Sequence, residues 1–491
     1  MKLADLVREV PGAELHGDAE LEIGKVAHDS RRCDEASLFV AIQGLAADGN
    51  DFVEAAVKKG ATAVVSEESP RAGVPWIRVR DAREALALLS AAVLAHPGRE
   101  LDLVGVTGTN GKTTTAFMID SAVRESGETS GLVGTVDYRI GDRVAEAVRT
   151  TPESSDLQLL LRQMVDAGCR RAVLEVSSHA LALKRAHGLA FRVAVFTNLS
   201  RDHLDFHEDM DAYFAAKRIL FDSLLREDGH AVVNVDDDHG AELARSSARR
   251  VLTCSLSPGA DFTAEDVQLS LDGTRFRAKT PAGDFEARTP LIGRFSVRNA
   301  LCAFAAGHAL GLPPDAVQRG LASLKGVPGR MERVDAGQDF TVLVDYAHTD
   351  DALKNLLETV RELDPRRVIT VFGCGGDRDR SKRPLMGAVA ARLSDVVILT
   401  SDNPRSEPPE AILEEVRRGI PADRVEETEL IIGRREAIAR ALEMGREGVV
   451  VVIAGKGHET RQVLRDRTVP FDDRQVVRDI LANPAGAGGK R

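Results

Sequence analysis

Nine residues, Thr107-Gly108-Thr109-Asn110-Gly111-Lys112-Thr113-Thr114-Thr115, have the makeup of a phosphate-binding loop. Glycine lets backbone N–H groups approach an anion closely, and a following helix adds N–H groups and a favourable dipole. Lys112 is placed to reach β- and γ-phosphates, and a threonine hydroxyl can ligate Mg²⁺. The strict eight-residue spacing of such loops requires glycine at 106, where this chain has Val106, so GxxGKT from Gly108 to Thr113 remains. The competing reading is a glycine turn with no ligand.

The loop requires a strand before it and a helix after it. LDLVGV supplies the first and AFMIDSAVRES the second, with Gly127 as the stop. The same grammar recurs downstream: RRAVLEV precedes SSH, VAVFTN precedes LSRDH, TVLVDY precedes AHT, RVITVFG precedes CGGDRD, VVILTS precedes DNPR, and VVVIA precedes GKGHE. Wholly apolar strands alternating with helical stretches predict parallel sheets covered on both faces. Ligands of such sheets bind beyond the carboxyl ends of the strands. Polar loops in general explain one or two such junctions better than they explain six.

Single residues on these loops have a bland reading and a chemical one. Glu175, ending an apolar strand, is either an exposed strand-end carboxylate or an Mg²⁺ ligand. His203 by itself reads as a loop or packing histidine, and His207 as structural or auxiliary. Lys217, on a helix entered near Asp209 and Asp211, reads from composition alone as a solvated helix lysine.

The whole chain has 491 residues, is 43% hydrophobic and only 4% aromatic, and suits two to four layered α/β domains. With 65 Lys plus Arg against 76 Asp plus Glu, its net charge of −11 argues against nonspecific nucleic-acid binding. Cys33, Cys169, Cys254, Cys302 and Cys374 form no CxxC pair, which predicts reduced thiols in a cytoplasmic protein. The N-terminus lacks a signal-peptide core, and the apolar stretch 85–95 is too short to cross a membrane, so neither export nor membrane insertion is expected. Three blocks are expected, 1–98, 99–326 and 327–491, separated near His96-Pro97-Gly98 and Pro328-Gly329, with NPAGAGGKR as a flexible tail.

TGTNGKTTT resembles the phosphate loop of the Mur ligases, which build the peptide of bacterial cell-wall precursors. Further matches follow in the family's order: DSR (29–31), TTPES, EVSSHAL, TNLSRDHLDFH, YFAAK, GRFSVRNAL, GRMERV, DYAHT, GGDRD, KRPLM, DNPR and GKGHE. Together they span essentially the whole chain. The resemblance implies a three-domain α/β fold: an N-terminal domain for a uridine nucleotide, a central parallel-sheet P-loop-type ATPase domain, and a C-terminal Rossmann-like domain. It implies a monomeric, ATP-dependent amide-bond ligase. Its branch would join meso-2,6-diaminopimelate to UDP-N-acetylmuramoyl-L-alanyl-D-glutamate through an acyl phosphate.

Roles carried over by position are expectations. Gly108, Thr109, Asn110, Gly111, Lys112, Thr113 and Thr114 would hold ATP phosphates, with Asn299, Arg330, Asp345 and His348 closing on the nucleotide. Lys112, Glu175, His203 and Lys217 would be catalytic. Mg²⁺ would take Thr113, Glu175, His203 and Lys217, the last as a CO₂-derived carbamate that replaces a repelling cation by an anionic oxygen. Ser30, Thr150, Thr151, Ser177 and Arg185 would hold the UDP-muramoyl-dipeptide. Arg378, Asp402, Asn403, Pro404, Arg405, Gly455 and Glu459 would hold diaminopimelate, whose extra carboxylate suits the planar fork of Arg405. The simpler reading of DNPR is an Asn-Pro turn with a surface arginine. Two departures stand out: Leu183 replaces a glutamine contact of some relatives, and Asp350-Asp351 replaces a common Pro-Asp. A lysine-adding homologue, a folylpolyglutamate-type ligase, a phosphate-loop ATPase and an inactive scaffold remain as alternatives.

Overall fold

The computed structural model describes residues 1–44, 47–71 and 73–483, so all but the first residue of the expected tail lies outside the described residues. The chain forms three main sheets, each with helices packed against it.

The first sheet has five strands in the spatial order Glu14–His16, Trp76–Arg78, Ala61–Ser66, Ser37–Val40, Lys25–Ala27. All neighbours are parallel except the first pair, where Glu14 lies opposite Arg78. Three short runs rich in apolar residues, at 61–66, 37–40 and 76–78, thus form the middle of this sheet. Helix Ala82–Val93 covers this sheet, capped by Asp81, which accepts from Glu84 N at 2.8 Å, and it buries Leu86 and Leu89.

The second sheet has eleven strands, with Asp102–Thr107 between Arg171–Glu175 and Phe191–Phe196. Its middle is parallel, as the apolar runs predict, and each fully buried Val or Leu there contributes about 1.5–3 kcal/mol. Antiparallel strands extend both edges of this parallel middle. Hairpin Asp137–Ile140/Arg143–Glu146 extends one edge, and Gly273–Thr280/Gly283–Thr289 the other, both antiparallel. Gly141, at φ +58°, makes the two-residue turn of the first hairpin. In Gly283–Thr289 exposed residues alternate with covered ones, so these strands lack the continuous apolar run that signals a parallel strand. Helices Lys112–Glu125 and Arg294–Ala309 share one hydrophobic core with Val104, Val106, Val193 and Val195 of this sheet.

The third sheet runs Glu332–Arg333, Thr341–Asp345, Val449–Ala454, Arg367–Phe372, Val396–Leu399, Thr428–Leu430. It is parallel except for its first short pair. Every residue of Val449–Ala454 is buried, and separate hydrophobic cores lie on its two faces. The chain is thus an α/β protein of three sheet-based units. Loops at the strand ends of the second and third sheets meet across one cleft.

Candidate active site

The phosphate loop starts where strand Asp102–Thr107 ends. Val106 belongs to the strand, wholly buried and paired with both Glu175 and Val195. The loop turns only at Gly108, so the missing glycine of the strict spacing falls outside it. Gly108 has φ +146°, and a Cβ there would lie 1.9 Å from Thr197 Oγ1. Gly111 has φ +84°, and its Cβ would lie 2.6 Å from Asn299 Oδ1. Asn299 of helix Arg294–Ala309 thus packs directly on the loop. Asn198 brackets Asn110: its Oδ1 accepts from Asn110 N at 2.9 Å and its Nδ2 donates to Asn110 O at 3.0 Å. Lys112 donates to Gly108 O at 2.9 Å and Thr109 O at 2.8 Å, and burial lowers its pKa against the opposing pull of Glu175.

Glu175 is fully buried, which rules out an exposed strand-end carboxylate. Its Oε2 accepts from Thr113 Oγ1 at 2.9 Å and Thr135 Oγ1 at 3.1 Å, and its Oε1 from Thr135 N at 2.7 Å. Thr150 Oγ1 lies 3.0 Å from Thr135 Oγ1, and Thr151 Oγ1 donates to Glu175 O at 2.8 Å. Arg185 donates to Thr151 O at 3.1 Å and pairs with Glu153 at 2.8 Å. Ser177 caps the next short helix by accepting from Ala180 N at 3.2 Å. The structure brings these residues to one wall with the phosphate loop. Leu183 lines the same cleft, an apolar face where some relatives are expected to carry an amide.

Helix Met210–Asp222 begins at the expected place, with Asp209 accepting from Ala212 N at 2.8 Å. Its Lys217 is not solvated: it is 1% exposed, donates to Gly108 O at 2.9 Å, and lies 4.1 Å from the centroid of Tyr213. Burial and the neighbouring Lys112 push its pKa well below the usual lysine range. His203 adopts a left-handed backbone at φ +56°, and burial pushes it down to about 3 against the pull of Asp202. The neutral imidazole is the form that ligates metals. His207 is buried and bonded to Ser178 Oγ at 3.0 Å, in keeping with a structural place.

Magnesium prefers oxygen ligands, usually one or two from the protein, with phosphate and water completing the shell. The buried pair Thr113–Glu175 beside the loop fits that donor chemistry. Among the described residues no group of three or more His, Cys, Asp and Glu forms a complete cage.

The opposite wall comes from the third unit. Arg330 lies 4.7 Å from the centroid of Tyr346 and donates to Thr113 Oγ1 at 3.3 Å. Asp345 accepts from Met331 N and Ala347 N, both at 2.7 Å, so its carboxylate shapes the turn presenting Arg330 and His348. His348 Nε2 lies 3.8 Å from Asp202. Burial acts to raise Asp202, but His348, His203 and Lys382 outweigh it and hold the carboxyl at about 2. Asp202, which carried no role in the sequence reading, therefore faces both walls. The signal for it was available: an acid beside His203 in a loop closing an apolar strand. Together the walls enclose a cleft of about 800 Å³.

Of the expected amino-acid residues, Arg378 lines this cleft, and Arg405 shares Gly375 as a neighbour with it. Arg405, at φ +51°, donates to Gly376 O at 2.7 Å. Pro404 precedes it in the same buried turn as Asp402. Asn403 donates to Glu459 Oε2 at 2.9 Å, and fully buried Lys456 joins both, at 3.2 Å to Asn403 Oδ1 and 2.8 Å to Glu459 Oε2. A Cβ on Gly455 would meet Asp402 Oδ2 at 2.5 Å. The structure does not bring Ser30 to the cleft. It sits buried in a turn capped by Asp29, near a separate cavity of about 230 Å³ lined by His28, Arg32, Ser155 and Asp156.

Comparison with known proteins agrees with this geometry along the chain. Family models described as "Mur ligase family, catalytic domain", "Mur ligase middle domain" and "Mur ligase, glutamate ligase domain" match residues 22–93, 106–307 and 329–457. The UDP-N-acetylmuramoyl-L-alanyl-D-glutamate--2,6-diaminopimelate ligase of Solibacter usitatus is 49% identical over 467 residues, 94% of each chain. The ligase of the same name from Geobacter metallireducens is 46% identical, over 97% of this chain and 98% of its own. A solved structure of a ligase of that name superposes with a TM-score of 0.70 at 33% identity, covering 99% of both chains. The phosphate loop, the two-walled cleft and this full-length similarity lead to one conclusion: the chain belongs to the Mur ligase family.

Proposed function

We propose that the enzyme adds meso-2,6-diaminopimelate to the D-glutamate of UDP-N-acetylmuramoyl-L-alanyl-D-glutamate, consuming ATP, in cytoplasmic cell-wall precursor synthesis. The observation that carries this is the single cleft in which the phosphate loop, the Thr150–Thr151–Arg185 wall and the Arg330–His348 wall face one another. Residues 1–98 are assigned the uridine nucleotide through Ser30, 99–326 ATP and the dipeptide, and 327–491 the amino acid.

A carboxylate resists attack by an amine because its leaving group is poor. The γ-phosphoryl group passes to one carboxylate oxygen, giving an acyl phosphate and ADP. The amine then attacks the carbonyl carbon, the C–O bond to phosphate breaks, and the ammonium proton is released. Lys112 and the loop N–H groups hold the ATP phosphates, and Arg330 balances charge on the transferring group. Thr150, Thr151 and Arg185 orient the dipeptide, and Arg405 reads the distal carboxylate of diaminopimelate. Thr113 and Glu175 would hold Mg²⁺, which would supply further neutralisation of phosphate charge. Neutral Lys217 adds to CO₂ with loss of one proton, placing a carbamate where an ammonium would repel the metal. Contacts between the walls keep water from the acyl phosphate.

The test is oxygen transfer. With ¹⁸O in the glutamate carboxylate, one labelled oxygen per turnover must appear in the released phosphate. Unlabelled phosphate would exclude carboxylate activation.

A further inference from the structure

We infer that Arg383, acting through Glu407, is the positioning residue that fixes Arg405 for recognition of the amino-acid substrate, an inference that rests on the reading of Arg405 given above. Arg383 belongs to the helix Lys382–Leu393, and its side chain is wholly buried. Its guanidinium grips Glu407 with two parallel bonds, Nη1 to Oε2 at 2.9 Å and Nη2 to Oε1 at 2.8 Å, and reaches Glu415 Oε2 at 2.8 Å. A buried arginine forked onto a carboxylate is a strong and directional unit.

What this unit holds is the carbonyl that orients Arg405. Arg405 donates to Gly376 O at 2.7 Å. The backbone on each side of Gly376 is tied to the ion pair: Arg383 Nη2 donates to Gly375 O at 3.1 Å, and Glu407 Oε1 accepts from Asp377 N at 2.7 Å. Gly376 N in turn donates to Asn403 O at 2.9 Å. The two loops touch so closely that a Cβ on Gly376 would sit 1.9 Å from Pro404 O. Glu407 is two residues beyond Arg405, so one ion pair spans the GGD loop and the segment bearing Arg405. The left-handed backbone of Arg405 is unfavourable for an arginine and persists only where its surroundings enforce it. The Arg383 grip also holds the Glu407 carboxyl down at about 2.

The test uses the full-length enzyme with ATP and UDP-muramoyl-dipeptide saturating, and compares E407Q, R383K, R383Q and R405A. E407Q and R383Q should raise KM for meso-diaminopimelate by about tenfold or more, while KM for ATP moves less than about threefold. R383K, which keeps the charge but loses the fork, should fall between wild type and R383Q. The E407Q/R405A double variant should be no worse for diaminopimelate than R405A alone, because Glu407 acts through Arg405. If R383Q does not fold, E407Q and the double variant decide the matter. Parallel rises in KM for ATP, or additive losses in the double variant, overturn the positioning role. If R405A raises KM and E407Q does not, only this inference falls. If R405A itself leaves KM unchanged, the amino-acid site falls with it.

Discussion

Asn110 of the phosphate loop donates through Nδ2 to Asp351 Oδ2 at 3.0 Å, joining the ATP-facing loop to a helix of the third unit. Arg201, beside the same loop, reaches Ser381 Oγ and lies 3.7 Å from Asp379. These contacts tie the two walls of the cleft together. Asp351→Ala should therefore raise KM for ATP by about three- to tenfold, the size expected for loss of one partly exposed hydrogen bond. Steady-state kinetics with the other substrates saturating measures it. An unchanged KM removes the contact from ATP binding.

Gly108→Ala should abolish nucleotide binding, because its Cβ would lie 1.9 Å from Thr197 Oγ1 and φ is +146°. Gly108→Ala with Thr197→Ala removes the collision but leaves the backbone strain, and should regain part of the affinity. Calorimetric titration with ADP compares the three proteins. Full ADP affinity in Gly108→Ala would contradict the loop geometry.

Lys217 should exchange with CO₂. In protein equilibrated with ¹³C-bicarbonate, carbon NMR should show a carbamate signal that is absent from Lys217→Ala. The chemical basis is the buried amine whose pKa burial and Lys112 lower, since only the neutral form adds to CO₂. No difference between the two spectra sinks the carbamate.

The Arg383–Glu407 pair should leave a signature in acid. Glu407 falls from the ordinary 4.5 to about 2 in the folded protein, chiefly through its bonds to Arg383. Its contribution is complete above 4.5 and is lost as pH falls towards about 2. Urea midpoints of wild type and Glu407→Gln should differ most near neutrality and converge on acidification, with a loss of about 1–3 kcal/mol at stake. A gap independent of pH would show that Glu407 stabilises by packing alone.

Much of this architecture is legible in the sequence because buried parallel strands are written as unbroken apolar runs. VAVFTN, TVLVDY and VVVIA each yield a strand and then a polar loop. The antiparallel edges are not legible in that way: DFEART alternates, and the two successive hairpins of that edge turn next to Gly273 and Gly283, each with positive φ. Val106 looks like a defect in the phosphate motif until the strand register shows that the loop begins two residues later. Within the site, residue types and order indicate Lys112 and Glu175, whereas Lys217 reads from composition as a solvated helix lysine and is singled out only by the family resemblance. They do not show that Lys217 is buried against Gly108 O, or that Asp202 faces His348 across the cleft. Arg383 was visible only as part of KRPLM, because its meaning lies in contacts 24 and 32 residues away.

The central claim is ligation of diaminopimelate, and its most direct test is a competition. The purified enzyme receives ATP, Mg²⁺ and UDP-N-acetylmuramoyl-L-alanyl-D-glutamate with equal meso-diaminopimelate and L-lysine, and mass spectrometry identifies the product while phosphate release is followed. The diaminopimelate tripeptide should form, with one phosphate per product and little turnover when both amino acids are omitted. A lysine tripeptide, or ATP hydrolysis that proceeds equally without an amino acid, would contradict it.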